Sequence, residues 1–213
     1  MTATILIPAR YIAALRQFAD PRNLRPVCQS LCVELSRGGA ACVFASDGFI
    51  MGCFRVPGAA AGGARLDHVL IPVELLAHVK NGGDVEITVG PVVKGNEFSR
   101  PVRVAWNGGA REGITQDNRA FDWRRMIARA PSGELAQYRA DLVARLGKAY
   151  GIAAGPRKRD PAAYIGHNGN HGALVVFDGV PDFVGSIAPV NAPAHETPLT
   201  PAKPPEWACH DTD

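Results

Sequence analysis

The chain has 213 residues, 46% hydrophobic and 20% charged. That balance argues against global disorder and leaves room for one large domain or two small ones, with no need of disulfide or metal staples. No run reaches the roughly 18 uninterrupted apolar residues of a spanning helix, and the opening MTATILIPARYIAAL lacks the basic-then-apolar order of a signal peptide, so the expected location is cytoplasmic.

The first expected element is a strand over Thr4–Ile7, running through Pro8 into a helix with Tyr11, Ile12, Leu15, Phe18 and Ala19 on one stripe and Arg10, Arg16 and Gln17 off it. Asp20-Pro21 stops that helix. From Pro26 the period changes to two, with Val27, Leu31, Val33 and Leu35 on one face and Cys28, Ser30, Cys32 and Glu34 on the other. Turns at Arg37-Gly38-Gly39 and Ser46-Asp47-Gly48 join strands Ala41–Ala45 and Phe49–Val56 to it as an antiparallel meander. After an Ala- and Gly-rich connection over 57–65, HVLIPVELLAHV at 68–79 repeats TILIPARYIAAL at 4–15, which predicts a second helix. Strands follow at Asp84–Val89, around Glu97–Trp106 and at Ala110–Thr115.

A weaker third copy starts near Gln137. Its helix, residues 138–151, carries Leu142, Val143 and Leu146 on one face with Arg139, Arg145 and Lys148 around it. A basic loop, Gly155–Asp160, leads to strands Ala162–His167, Ala173–Asp178 and Phe183–Val190, with no fourth helix, and the Pro-, Ala- and Thr-rich residues 191–213 read as a disordered or loosely docked tail. The expected division is therefore 1–129, holding two complete units, 130–191, a partial domain, and the tail 192–213.

Net charge follows this division. Residues 100–160 hold 13 Lys and Arg against 6 Asp and Glu, whereas residues 161–213 hold 1 against 6. A basic middle of that size suits a phosphate backbone or a solvated charged face. The five cysteines, Cys28, Cys32, Cys42, Cys53 and Cys209, lack metal or redox spacing, and the first four read as small buried thiols.

Pairs of βαβββ units closing into one domain are the plan of DNA sliding clamps, and this chain resembles the bacterial version, the beta subunit of DNA polymerase III. Ala45-Ser46-Asp47-Gly48-Phe49-Ile50-Met51 stands where that family has an A-T-D-G turn and a basic and aliphatic strand start. Val69-Leu70-Ile71-Pro72 matches its second helix start, and Phe121-Asp122-Trp123-Arg124-Arg125-Met126-Ile127 resembles F-P-D-Y-R-R-V-L-P without the first proline. Ile187-Ala188-Pro189-Val190-Asn191 resembles the terminal M-P-M-R at its proline alone. The stronger likeness covers residues 2–150 and a weak one 160–191. The family's first domain has no counterpart, Ile50 replaces an arginine, and the terminal methionines and arginine are lost.

The resemblance implies an α+β clamp-like fold of repeated βαβββ units, with helices on one face of antiparallel sheet. It also implies a non-enzymatic protein that forms a homo-oligomer, needs no cofactor or metal, binds double-stranded DNA without sequence preference and tethers peptides of polymerases or other replication proteins. The implied DNA contacts are Arg10, Arg16, Lys80, Arg139, Arg145 and Lys148. The implied peptide contacts are Ser46, Gly48, Ile50, Met51, Pro189 and Val190, although Ile50 and Met51 also read simply as core strand residues. A clamp-like regulator that binds replication proteins without encircling DNA is the alternative. An enzyme reading would rest on His167 and His171 in GHNGNHG or on Cys209-His210-Asp211, but glycines flank the histidines and the second set consists of sequence neighbours, whereas catalytic groups converge from distant rigid elements.

Overall fold

The computed structural model describes residues 2–36, 38–60, 66–80, 82–96, 99–116, 121–156 and 162–190. Eleven strands form two antiparallel sheets among these residues. The first unit comprises β1 (Ala3–Pro8), α1 (Ala9–Leu15), β2 (Ser30–Leu35), β3 (Ala41–Ser46) and β4 (Ile50–Val56). The second comprises β5 (Leu66–Pro72), β6 (Asp84–Val89), β7 (Pro101–Trp106) and β8 (Gly109–Ile114). The third comprises α2 (Ala140–Ala154), β9 (Ala163–Gly166), β10 (Ala173–Phe177) and β11 (Phe183–Ile187).

The first two units exchange their leading strands. β1 leaves its own meander and pairs with β6 in a four-stranded sheet of order β1-β6-β7-β8, while β5 pairs with β2. Such reciprocal exchange is what a two-fold relation between the units requires. The larger sheet runs β5-β2-β3-β4-β11-β10-β9, so the third unit continues the first through the β4·β11 pair. In that joint Ile50 faces Ile187, Gly52 faces Gly185 and Phe54 faces Phe183.

Both faces of the β5-β2-β3-β4 part of the larger sheet are covered, which explains why several of its strands are apolar at successive positions. On the inner face Leu31, Val33, Val43, Ile50, Phe54, Val175 and Ile187 meet α1 and α2, which pack side by side. Rings bridge the joint there: Tyr11 stacks on Phe54 at 4.1 Å, Phe54 lies 5.0 Å from Phe183, and Phe183 stacks on Phe177 at 3.7 Å. Gly52 is required at this place, because a Cβ on it would come within 2.7 Å of the Phe18 ring. On the outer face Cys32, Phe44, Met51, Cys53 and Leu70 form a second cluster beneath Phe121, Trp123, Met126 and Ile127.

The second helix expected at 68–79 does not form; the segment makes one 3-10 turn, Val73–Leu76. Twenty-one residues (9–29) separate the first two strands of the first unit, and only eleven (73–83) separate those of the second, ending in Gly82-Gly83. A helix as long as α1 would take seven of those residues and leave only four for the return, the last two of them glycines, and a single 3-10 turn stands in its place. The strand expected from Pro26 likewise begins at Ser30, after a 3-10 turn at Pro26–Gln29. Glu97 and Phe98, part of the loop Gly155–Asp160 and all of 191–213 lie outside the described residues. Among described residues no helix is long and apolar enough to cross a membrane.

Candidate peptide cavity and charged face

The turn between β3 and β4 is built by side chains that complete its backbone hydrogen bonds. Ser46 Oγ accepts from the Gly48 amide at 3.0 Å, and Asp47 Oδ1 accepts from Phe49 and Ile50 at 2.8 and 3.0 Å. Gly48 sits at φ 98°, where a side chain would be strained. The other Asp47 oxygen accepts from Arg145 Nη1. Arg145 Nε also donates to the Gln17 carbonyl at 2.6 Å, just beyond α1. One guanidinium on α2 thus joins the end of α1 to the turn that opens β4.

Beside this turn lies a cavity of about 380 Å3. Gly48 and Phe49 form one wall, Arg125–Ala128 a second, and Ser186 and Ala188 a third, with Asn168, His171 and Gly172 closing it. Three segments distant in sequence therefore converge where the first and third units meet. The Ala188 amide donates to the Phe49 carbonyl at 2.7 Å and extends the β4·β11 pairing to the cavity's edge. Phe49 is exposed, and the Arg139 guanidinium lies 5.5 Å from its ring.

The wall from 121 to 128 is fixed by its own anchors. Phe121 and Trp123 lie 5.5 and 6.0 Å from the Phe44 ring. Arg124 binds both oxygens of Glu34 at 3.2 and 2.9 Å, while His68 Nδ1 lies 3.2 Å from the same carboxylate. This bond to Glu34 holds the Arg124 guanidinium above its ordinary pKa. Under the wall, the Cys42 thiol is pulled down to about 7, chiefly by its hydrogen bond with Cys53, and that bond together with burial pushes Cys53 well up. Cys28, Cys32 and Cys53 are buried, as expected, whereas Cys42 is half-buried.

Of the peptide contacts expected from sequence, Gly48 lines the cavity. Pro189 and the exposed Val190 follow its third wall. Ser46 is buried and shapes the turn. Ile50 and Met51 are fully buried, Ile50 in the inner core and Met51 in the outer cluster, so they support the site from beneath without facing a ligand. Sequence reasoning missed Phe49, Met126, Ile127, Ala128, Ser186 and Ala188 as lining residues. The signal for two of them was the alternation of β11, which turns Ile187 inward and Ser186 and Ala188 the other way.

The expected DNA contacts divide in the same manner. Arg10 on α1 and Lys148 on α2 are exposed, as is Lys80 after the 3-10 turn. Arg16 is half-buried at the end of α1, and desolvation lowers its pKa. Arg139 forms a two-pronged pair with Asp141 at 3.0 and 2.9 Å and holds that carboxyl below its usual range. Arg145, expected as a DNA contact, is bonded to Asp47 and to the carbonyls after α1. Of the histidines, His167 is bonded to Tyr138 at 3.1 Å while His171 lines the cavity. The described residues contain no group of three potential metal ligands, and Cys209-His210-Asp211 lies outside them.

No family model matches the sequence, and no curated protein matches it either. Solved structures do. The chain superposes on the DNA polymerase sliding clamp of Caulobacter crescentus with a TM-score of 0.63 at 15% identity, covering 90% of this chain and 66% of that one. The DNA polymerase III subunit beta of Pseudomonas aeruginosa gives 0.60 at 12%, covering 89% and 66%. The Bacillus subtilis sliding clamp gives 0.60 at 12%, covering 89% and 64%. The chain thus has the fold of the bacterial sliding clamps and spans about two thirds of their length.

Proposed function

We propose that this protein is a non-enzymatic clamp-like scaffold, with a two-unit domain over 1–129 and a single-unit partial domain over 130–191, that tethers a replication protein by a short peptide. The observation that carries this reading is the cavity at the β4·β11 joint, where the Ser46-Asp47-Gly48 turn, the 125–128 wall and the end of β11 converge. An apolar peptide side chain fits between Phe49, Met126 and Ile127, with its backbone laid along the strand end at Ala188–Val190. Filling the cavity with Ala188→Trp is expected to weaken binding of a labelled polymerase-derived peptide more than tenfold while the melting temperature stays constant. Unchanged peptide affinity in a folded variant would overturn the assignment.

Duplex DNA contact is the second part of the proposal, carried by Arg10, Lys80 and Lys148, with Arg16 and Arg139 in support. Three phosphate contacts correspond to a slope of log affinity against log salt of roughly −2.7, and Arg10→Glu with Lys148→Glu should make it shallower by about two. The pairing of Arg139 and Arg145 within the protein favours a light touch on DNA. If peptide binds but neither linear nor circular duplex does at low salt, the clamp-like regulator is the correct reading. The outer edges of β8 and β9, which end their sheets, fit a homo-oligomer.

A further inference from the structure

The missing second helix leaves a place on the inner face of the smaller sheet that the tethering cavity does not use. Leu75 of the 3-10 turn covers part of it, seated over Gly113, where a Cβ would come within 2.9 Å of the leucine. Beyond Leu75 a cavity of about 640 Å3 opens between residues 77–80 and the β7–β8 hairpin. Trp106 lies on the same face of β7 as the buried Val102 and Val104, so its indole stands on the inner side, half-buried. Arg111 is paired with Val104 across the strands and shares that face. Its Nη1 donates to the Glu74 carbonyl at 3.0 Å, which orients the guanidinium beside the turn. His78 and Lys80 complete the wall, and the described lining residues include no carboxylate.

We propose that this cavity binds a nucleobase carrying a phosphate, with the base against the Trp106 indole and the phosphate between Lys80 and Arg111. The chemistry selects this class. An aromatic platform accepts any base through its π-face, paired cations hold the phosphate, and the absence of a lining carboxylate leaves the anion unopposed. Double-stranded DNA cannot satisfy the site, because its bases are stacked and paired; the occupant is a free nucleotide or an unpaired base within a single strand. The site is independent of the peptide cavity and shares Lys80 alone with the duplex contacts proposed above.

The test uses the full chain with four probes: thymidine monophosphate, an eight-residue oligothymidylate, the matching duplex and inorganic tripolyphosphate. Oligothymidylate is expected to bind, Trp106→Met to weaken it about tenfold and Trp106→Phe to restore it to within about threefold, in line with base–aromatic stacking. Lys80→Gln with Arg111→Gln should weaken it again and reduce the salt slope by about 0.7, the value for one single-strand phosphate. Equal affinity for the mononucleotide assigns a free nucleotide, and markedly tighter oligothymidylate assigns a strand. If tripolyphosphate binds as tightly as oligothymidylate, if Trp106→Met weakens duplex binding as much as oligothymidylate binding, or if Trp106→Met binds oligothymidylate as wild type does, the cavity is merely a charged surface and the inference falls. Melting curves of both Trp106 variants separate loss of ligand from loss of fold.

Discussion

The first and second units begin with nearly the same strand and turn, yet one continues into a helix and the other does not. In each, a large side chain from the segment after the leading strand lies over a glycine in the last strand: Phe18 over Gly52, and Leu75 over Gly113. The seat is retained while the element above it differs. Local propensity proposes a helix in both places, but the number of residues before the next strand decides whether a helix can return to the sheet.

The sharpest way to break the comparison is at the two glycines. Gly52→Ala drives a Cβ into the ring of Phe18, which is fully buried and cannot swing away, and is expected to cost about 3 kcal/mol. Gly113→Ala meets the half-buried end of Leu75, which can rotate, and should cost about 1 kcal/mol or less. Equal losses in urea denaturation would mean that both seats are equally rigid and that the helix adds nothing to the first.

Arg145 gives a related contrast between units, since it fastens the first to the third and the second unit lacks such a fastening to the third among described contacts. Arg145→Ala leaves the buried Asp47 carboxylate without its cation and is expected to cost about 3 kcal/mol. Arg139→Ala, at an exposed pair on the same helix, should change stability little. A melting temperature unaffected by Arg145→Ala would show that the turn holds itself together.

The smallest effect expected is chemical. Cys42 should be alkylated half-maximally near pH 7, and Cys53→Ala should return it toward the ordinary thiol range of about 9. Unfolded Cys42 keeps its proton up to about 9 while the native thiol releases it from about 7. Its contribution to stability is therefore complete above 9 and lost as pH falls through 7, whereas the raised Cys53 opposes folding as pH climbs beyond 9. An alkylation profile centred near 9 in the native protein would refute the Cys42–Cys53 bond.

Much of the fold was legible because period-two alternation is local. Leu31, Val33 and Leu35 had to share a face, and the S-D-G turn had to reverse the chain. The exchange of β1 and β5 was not legible, since nothing within either strand specifies which meander it joins. The absent helix was missed because Val69-Leu70-Ile71-Pro72 repeats the earlier start faithfully while the constraint lies further on, at Gly82-Gly83. At the cavity, the turn and the Phe121–Ile127 segment could be identified singly, but their meeting with β11 depends on the β4·β11 register, which pairs residues 129 to 137 positions apart. Ile50 and Met51 left two readings open, because apolar strand residues beside a functional turn look alike whether they face a ligand or the core.

The exchange of leading strands bears on how the chain acquires its shape. Neither of the first two units can complete its sheet until the other has been synthesised, so β2 waits for β5 and β1 waits for β6, some 80 residues away. Separations of that order slow folding and discourage a stable half-molecule on the ribosome. The same arrangement makes the connection between β4 and β5 dispensable in principle. Severed there, each fragment would carry the strand its counterpart lacks, and the two pieces should find one another and reconstitute the fold by mutual templating.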